Sequence, residues 1–117
     1  MLRRQRSWGN MRRVLYRLAK SSEWWERRIA MVATAAFIDR GDLKDTFAIA
    51  ALLLVDTHDL VHKATGWMLR EAGKHSRSQS ISFLKRNYSQ IPRTTLRYAV
   101  EHLPEVQRKK ALRGMFS

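Results

Sequence analysis

Between residues 11 and 20, Met11, Val14, Leu15 and Leu18 recur at three- and four-residue intervals, while Arg13, Arg17 and Lys20 run along another face. That spacing predicts an amphipathic helix. The period returns along the chain, and no stretch alternates as a half-buried strand would. Ser21 or Ser22 is placed to cap a second helix over about 23–39, which Gly41 ends. After Arg28 this helix is apolar nearly all round, so it is expected at the centre of the fold. Asp42 caps a third helix, about 43–55, carrying "FAIAALLLV", and Thr57 caps a fourth, about 58–74. "SRSQ" at Ser76–Gln79 fits a capping box for a fifth, about 77–88. Pro92 opens a sixth over about 92–103, and Pro104 ends it and opens a seventh over about 104–114. Short connections make neighbours antiparallel.

The expectation is an all-α fold of about six to seven helices in one domain, with residues 1–10 as a basic, flexible arm. "ERRIAMVATAAF", "HKATGWMLREAG" and "TLRYAVEHL" can be set in register at intervals of roughly 33–37 residues, each preceded by a shorter helix. Helix pairs at that period suggest a HEAT-like α-solenoid. A compact seven-helix bundle is the alternative.

The fourth helix divides most sharply. At 100° per residue, Lys63, Trp67, Arg70 and Lys74 fall within about 60° of one another. Val61, Ala64, Met68 and Ala72 lie opposite, with Leu69 at the edge, and form the core face. A large aromatic therefore stands in a basic stripe. Gly66 and Gly73 flank that stripe, where a neighbouring backbone or a phosphate has room to approach.

Charge gives this face a meaning. Lys and Arg number 23 against 10 Asp and Glu, a net charge of +13 over 117 residues. Such an excess points to a polyanion, nucleic acid before anionic membrane. Cations neutralise phosphates, and an indole lies against a sugar or base. The other reading packs Trp67 under a neighbouring helix and leaves the charges solvated. Arg28 is a second candidate, offering a bidentate guanidinium to phosphate or else pairing with Glu26. Trp24 and Trp25 flank it, one in the core and one at the surface. Arg93 and Arg97 share a face of the sixth helix and, with Trp25, are further candidates for backbone contact; the other reading of the two arginines is a solvated face.

Other chemistry finds little support. There is no cysteine, which excludes disulfides and thiolate sites within these residues and fits a reducing compartment. His58 and His62 stand four apart but lack a third ligand, so no metal or cofactor is expected. Asp39, Asp42 and Asp45 read as caps. No phosphate-binding glycine loop, nucleotide fingerprint or nucleophile elbow occurs. "MLRRQRSWGN" has no apolar run behind it, and the longest uncharged run, Ile29–Ile38, is half the length of about 20 that a bilayer needs. A soluble chain in the cytoplasm, with the nucleoid, is expected.

"SSEWWERRIAMVATAAFI", "DTFAIAALLL", "HDLVHKATGWMLREAGK" and "IPRTTLRYAVEHLP" together resemble the C-terminal half of the DNA alkylation repair family, the AlkD-like DNA glycosylases, over about residues 14–106. The resemblance implies a HEAT-like α-solenoid whose concave basic face holds duplex DNA, and an enzyme that removes cationic N3- and N7-alkylated purines. It sets Arg28, Trp67 and Arg70 beside the lesion and the DNA backbone. It also implies an upstream "WD…VD"-type segment with a second Trp and the catalytic Asp. Here Trp8 is followed by Gly9 and Asn10, and residues 8–20 read as the helix that precedes "WERR". The expectation is a DNA-binding chain without that carboxylate, self-associating or pairing with a chain that supplies the missing half. Glu71 is about 80° from the Lys63–Arg70 centre and reads as an ion-pair partner. A non-catalytic HEAT-like adaptor for an acidic protein is the alternative.

Overall fold

The computed structural model describes the backbone of residues 2–116 and the side chains of residues 8–116. The basic residues of the 1–10 segment, Arg3, Arg4 and Arg6, have side chains outside the described ones. The order is α1 (Leu2–Ala19), α2 (Trp24–Ala33), α3 (Ala35–Ile38), α4 (Lys44–Leu53), α5 (Asp59–His75), α6 (Arg77–Asn87), a 3-10 turn (Tyr88–Gln90), α7 (Arg93–Ala99) and α8 (Glu105–Leu112). Among the described residues the chain is all-helical, with no strand. Among the described residues no helix is long and apolar enough to cross a membrane.

Some helix starts follow the capping logic and others shift: α2 begins after Glu23 with no side-chain cap bond, where Ser21 or Ser22 was expected, and α4 begins after Leu43. Ser76 Oγ accepts from the Gln79 N–H at 3.3 Å and opens α6. Pro92 and Pro104 precede the first helical residues of α7 and α8. At α5 the cap is His58 rather than Thr57: its Nδ1 accepts from the Leu60 N–H at 3.1 Å. His58 is held there because its ring stacks on Trp24, centroids 4.1 Å apart. This also separates the two tryptophans, since Trp25 is half exposed.

The second helix is not continuous. It breaks at Thr34, whose buried hydroxyl donates to the Met31 carbonyl at 2.7 Å, while its N–H turns to the same oxygen. A hydroxyl in an apolar setting must find an acceptor, and taking the carbonyl three residues back tightens the turn. Nor is α2 the centre. That place belongs to α5, which packs against α2, α3, α4, α6 and α7. Its core face is as the periodicity predicts, with Val61, Ala64, Met68, Leu69 and Ala72 all buried. Gly66 and Gly73 are what let helices close on it from the other side. A Cβ built on Gly66 would stand 2.6 Å from the Thr95 carbonyl oxygen, and one on Gly73 would stand 2.7 Å from the His102 ring. The space beside Gly66 is taken by α7, and that beside Gly73 by the His102 ring past α7 and by Ser80 of α6. The three segments read as repeats lie side by side, α2 on α5 and α5 on α7.

Asp45 corrects a further expectation. It caps nothing: it lies 1% exposed in the first turn of α4, accepting from Arg12 Nε at 2.8 Å and from the Tyr16 hydroxyl at 2.9 Å. The cap-like contact belongs to Asp42, which accepts from the Lys44 N–H at 3.3 Å and also from Arg12. Trp8 packs on Phe37, ring centroids 5.0 Å apart, and Arg12 covers the same phenyl ring. Together these contacts seat α1 on α3 and α4.

His102, just past α7, has both ring nitrogens buried without a hydrogen-bond partner. Burial first, then the charges of Arg77, Lys74 and Arg70, holds its pKa below 6.5. The unfolded chain therefore takes up this proton at a higher pH than the folded one. Its contribution is complete above the unfolded value of 6.5 and is lost as pH falls below it. Urea-unfolding midpoints are expected to drop between about pH 7.5 and 5.5, and His102→Gln to flatten that drop. An unchanged slope in the variant would assign it to other groups.

Candidate nucleic-acid interface

Along the flank of α5 that borders its core face, α2, α5 and α7 enclose an open cleft of about 440 Å³. Arg28 enters from α2, and Leu60, Lys63, Ala64, Trp67 and Arg70 from α5. Tyr98 and Glu101 enter from α7 and the turn that follows it.

Which arginine of "WERR" reaches the cleft is decided by its neighbour. Consecutive helical residues point 100° apart, so only one of Arg27 and Arg28 turns inward. Arg27 is held on the other side. Its Nε and Nη2 donate to the two oxygens of Asp56 at 2.5 and 3.2 Å, and its Nη1 donates to the Ser21 carbonyl. Burial pushes the Asp56 carboxyl up, but bonds from Arg27 and the His58 N–H outweigh it, and the carboxyl sits below its usual range. With α2 pinned this way, Arg28 projects into the cleft. Among the described residues Arg28 has no ion-pair partner, Glu26 included, since Glu26 accepts instead from Ser21.

The remaining cations are partly engaged. Lys63 lies 3.4 Å from Asp59 in an exposed pair. Arg70 Nη1 donates to Glu101 at 2.7 Å, with Glu71 at 3.4 Å from its Nε. Glu71 also pairs with Lys74 at 3.0 Å. Burial raises the Glu71 pKa, but Lys74 and Arg70 outweigh it and keep the carboxyl below its usual range. That is the ion-pair role expected of it. Trp67 is 40% exposed and forms the apolar wall between Lys63 and Arg70.

The cleft thus brings together Arg28, Lys63, Trp67 and Arg70. Lys74 lies outside it, beyond Glu71, and so do Trp25 and Arg97. Arg93 is turned away: it donates to the Leu112 carbonyl at 2.6 Å, at the end of α8, where a cation meets the negative end of the helix. Leu60, Tyr98 and Glu101 were not singled out by sequence. For Tyr98 and Glu101 the available signal was their i,i+3 spacing on one face of the sixth helix. His58 and His62 form no metal pair, because His62 Nε2 bonds the Asp56 carbonyl while His58 caps α5. Among the described residues no group of three His, Asp or Glu side chains is placed to hold a metal ion.

Three cations, of which Arg28 alone has no ion-pair partner among the described residues, and an exposed indole in one groove suit a phosphate chain bearing flat rings. A family model described as "DNA alkylation repair enzyme" matches residues 3–103, so the match takes in α1 as well as the later helices. No curated protein and no solved structure matches the chain.

Proposed function

The chain belongs to the DNA alkylation repair enzyme family, and from that premise we propose that it binds duplex DNA, alkylated DNA included, along the face where α2, α5 and α7 line the cleft. The observation that carries this reading is the convergence of Arg28, Lys63, Trp67 and Arg70, from two different helices, on one open groove. Side-by-side packing of α2, α5 and α7 supports a HEAT-like solenoid in which this face is the concave one. The three cations neutralise successive phosphates, and Trp67 rests against a sugar or base. The site of action is the cytoplasm, at the nucleoid.

Fluorescence anisotropy with a labelled duplex tests it. Neutralising three phosphates gives a slope of log K against log salt of about −2.7, or about 40-fold weaker binding between roughly 50 and 200 mM salt. Arg28→Ala is expected to weaken binding and to reduce the slope by about one. Trp67→Ala is expected to weaken it about 5- to 100-fold with little change of slope, as stacking losses do. No binding at low salt would overturn the proposal and favour an adaptor for an acidic protein.

A further inference from the structure

Among the described residues Glu101 is the one carboxylate that lines the cleft, and it is bound to Arg70, one of the two guanidinium groups that line it. We infer that Glu101 is a specificity-determining residue that competes with the ligand's phosphate for Arg70. The inference rests on the reading of the cleft as a DNA site.

Arg70 offers five N–H donors on a planar fork, and a phosphate binds it best along an edge, two donors at once. One edge donor, Nε, faces Glu71 at 3.4 Å, while Nη1 is bound to Glu101 at 2.7 Å. Glu71 is already shared with Lys74 and is only about one-third exposed. Glu101 differs in both respects. Its side chain is 56% exposed and has Arg70 as its single partner among the described residues. It also stands in the turn beyond the last residue of α7, so its displacement breaks no helix. The Arg70–Glu101 pair is therefore the easy one to open.

A pair this wet contributes little of its own stability. Its effect is on the ligand: a negative charge at the groove's rim repels an arriving anion and keeps one arm of Arg70 occupied. A single phosphate or a lone carboxylate gains little by displacing it. A phosphodiester chain that also reaches Arg28 and Lys63 gains enough. Glu101 thus raises the threshold for weak anions and leaves the polyanion as the favoured ligand.

The test uses the full chain, a labelled duplex at low salt, and three variants. Glu101→Gln keeps the shape and removes the charge. It is expected to tighten duplex binding about three- to fivefold, and by less as salt rises. Glu105→Gln makes the same change of net charge on an exposed residue that pairs with Lys109, away from the cleft, and should move affinity by less than twofold. In an Arg70→Ala background the gain from Glu101→Gln should disappear. Equal effects of the two glutamine variants, or a gain that persists without Arg70, would overturn the competition while leaving DNA binding standing. Absence of duplex binding by the unaltered chain would instead remove the DNA reading, and the competition with it.

Discussion

Replacing Asp45 with alanine is expected to cost about 3 kcal/mol of folding stability, the lower end for breaking a buried charged pair. The value is placed there because the Arg12 side chain, 30% exposed, can still turn to water and keeps its bond to Asp42. Tyr16, on a partly buried ring, loses its acceptor at the same time. Its phenol is pushed up to about 12 by burial and by the bond it donates to Asp45, so the hydroxyl stays protonated and needs an acceptor. Loss of that acceptor leaves a part-buried donor without its protein partner. Asp45→Asn keeps an acceptor for Tyr16 but loses the charge facing Arg12, and should cost about 1–2 kcal/mol. Urea denaturation at neutral pH reads both. A loss under about 1 kcal/mol for the alanine variant would mean that α1 is held by apolar packing alone. The consequence reaches the cleft, because α2, which carries Arg28, leans on α1 and α4.

Asp45 also marks where sequence reasoning stops. The pattern "DLKD" looks like a helix start, and Asp42 does serve there. Nothing local says that the second aspartate turns inward to meet residues from about 30 positions earlier. The periodicity of the fourth segment was fully legible, since a helix with distinct faces has only one way to bury its apolar side. The basic stripe of α5 followed from the same geometry. The choice between Arg27 and Arg28, or between Trp24 and Trp25, was not local. Each is settled by a partner elsewhere: Asp56 takes Arg27, and His58 takes Trp24. Tyr98 and Glu101 were hidden for a related reason. Their place in the cleft depends on how closely α7 can approach α5, and that distance is set by a glycine on the other helix.

Gly66→Val is therefore expected to damage both fold and cleft. A Cβ at this position would lie 2.6 Å from the Thr95 carbonyl oxygen and 2.6 Å from Tyr98 Cβ. The first is backbone inside α7 and cannot swing aside, so α7 must move as a body. Moving it strains a second tie, the bond from Thr95 Oγ1 to the His62 carbonyl at 2.9 Å. Overpacking of this kind typically costs about 1–3 kcal/mol, and the branched side chain puts valine at the upper end. Alanine is the sharper test, because two effects oppose each other. Gly→Ala inside a helix gains up to about 1 kcal/mol in propensity, while the contact with α7 costs more than that. Gly66→Ala should thus be destabilised by about 1 kcal/mol net. Gly9→Ala in α1, where nothing lies within 4 Å of the added carbon, should be stabilised by about 0.5–1 kcal/mol. The opposite signs of two identical substitutions separate close packing from propensity. Tyr98 and Glu101 ride on α7 and its following turn, so the Gly66 variants should also bind duplex DNA more weakly at temperatures where they remain folded. A Gly66→Ala chain as stable as the parent would show that α7 can yield, and that the cleft is not held at a fixed width by this contact.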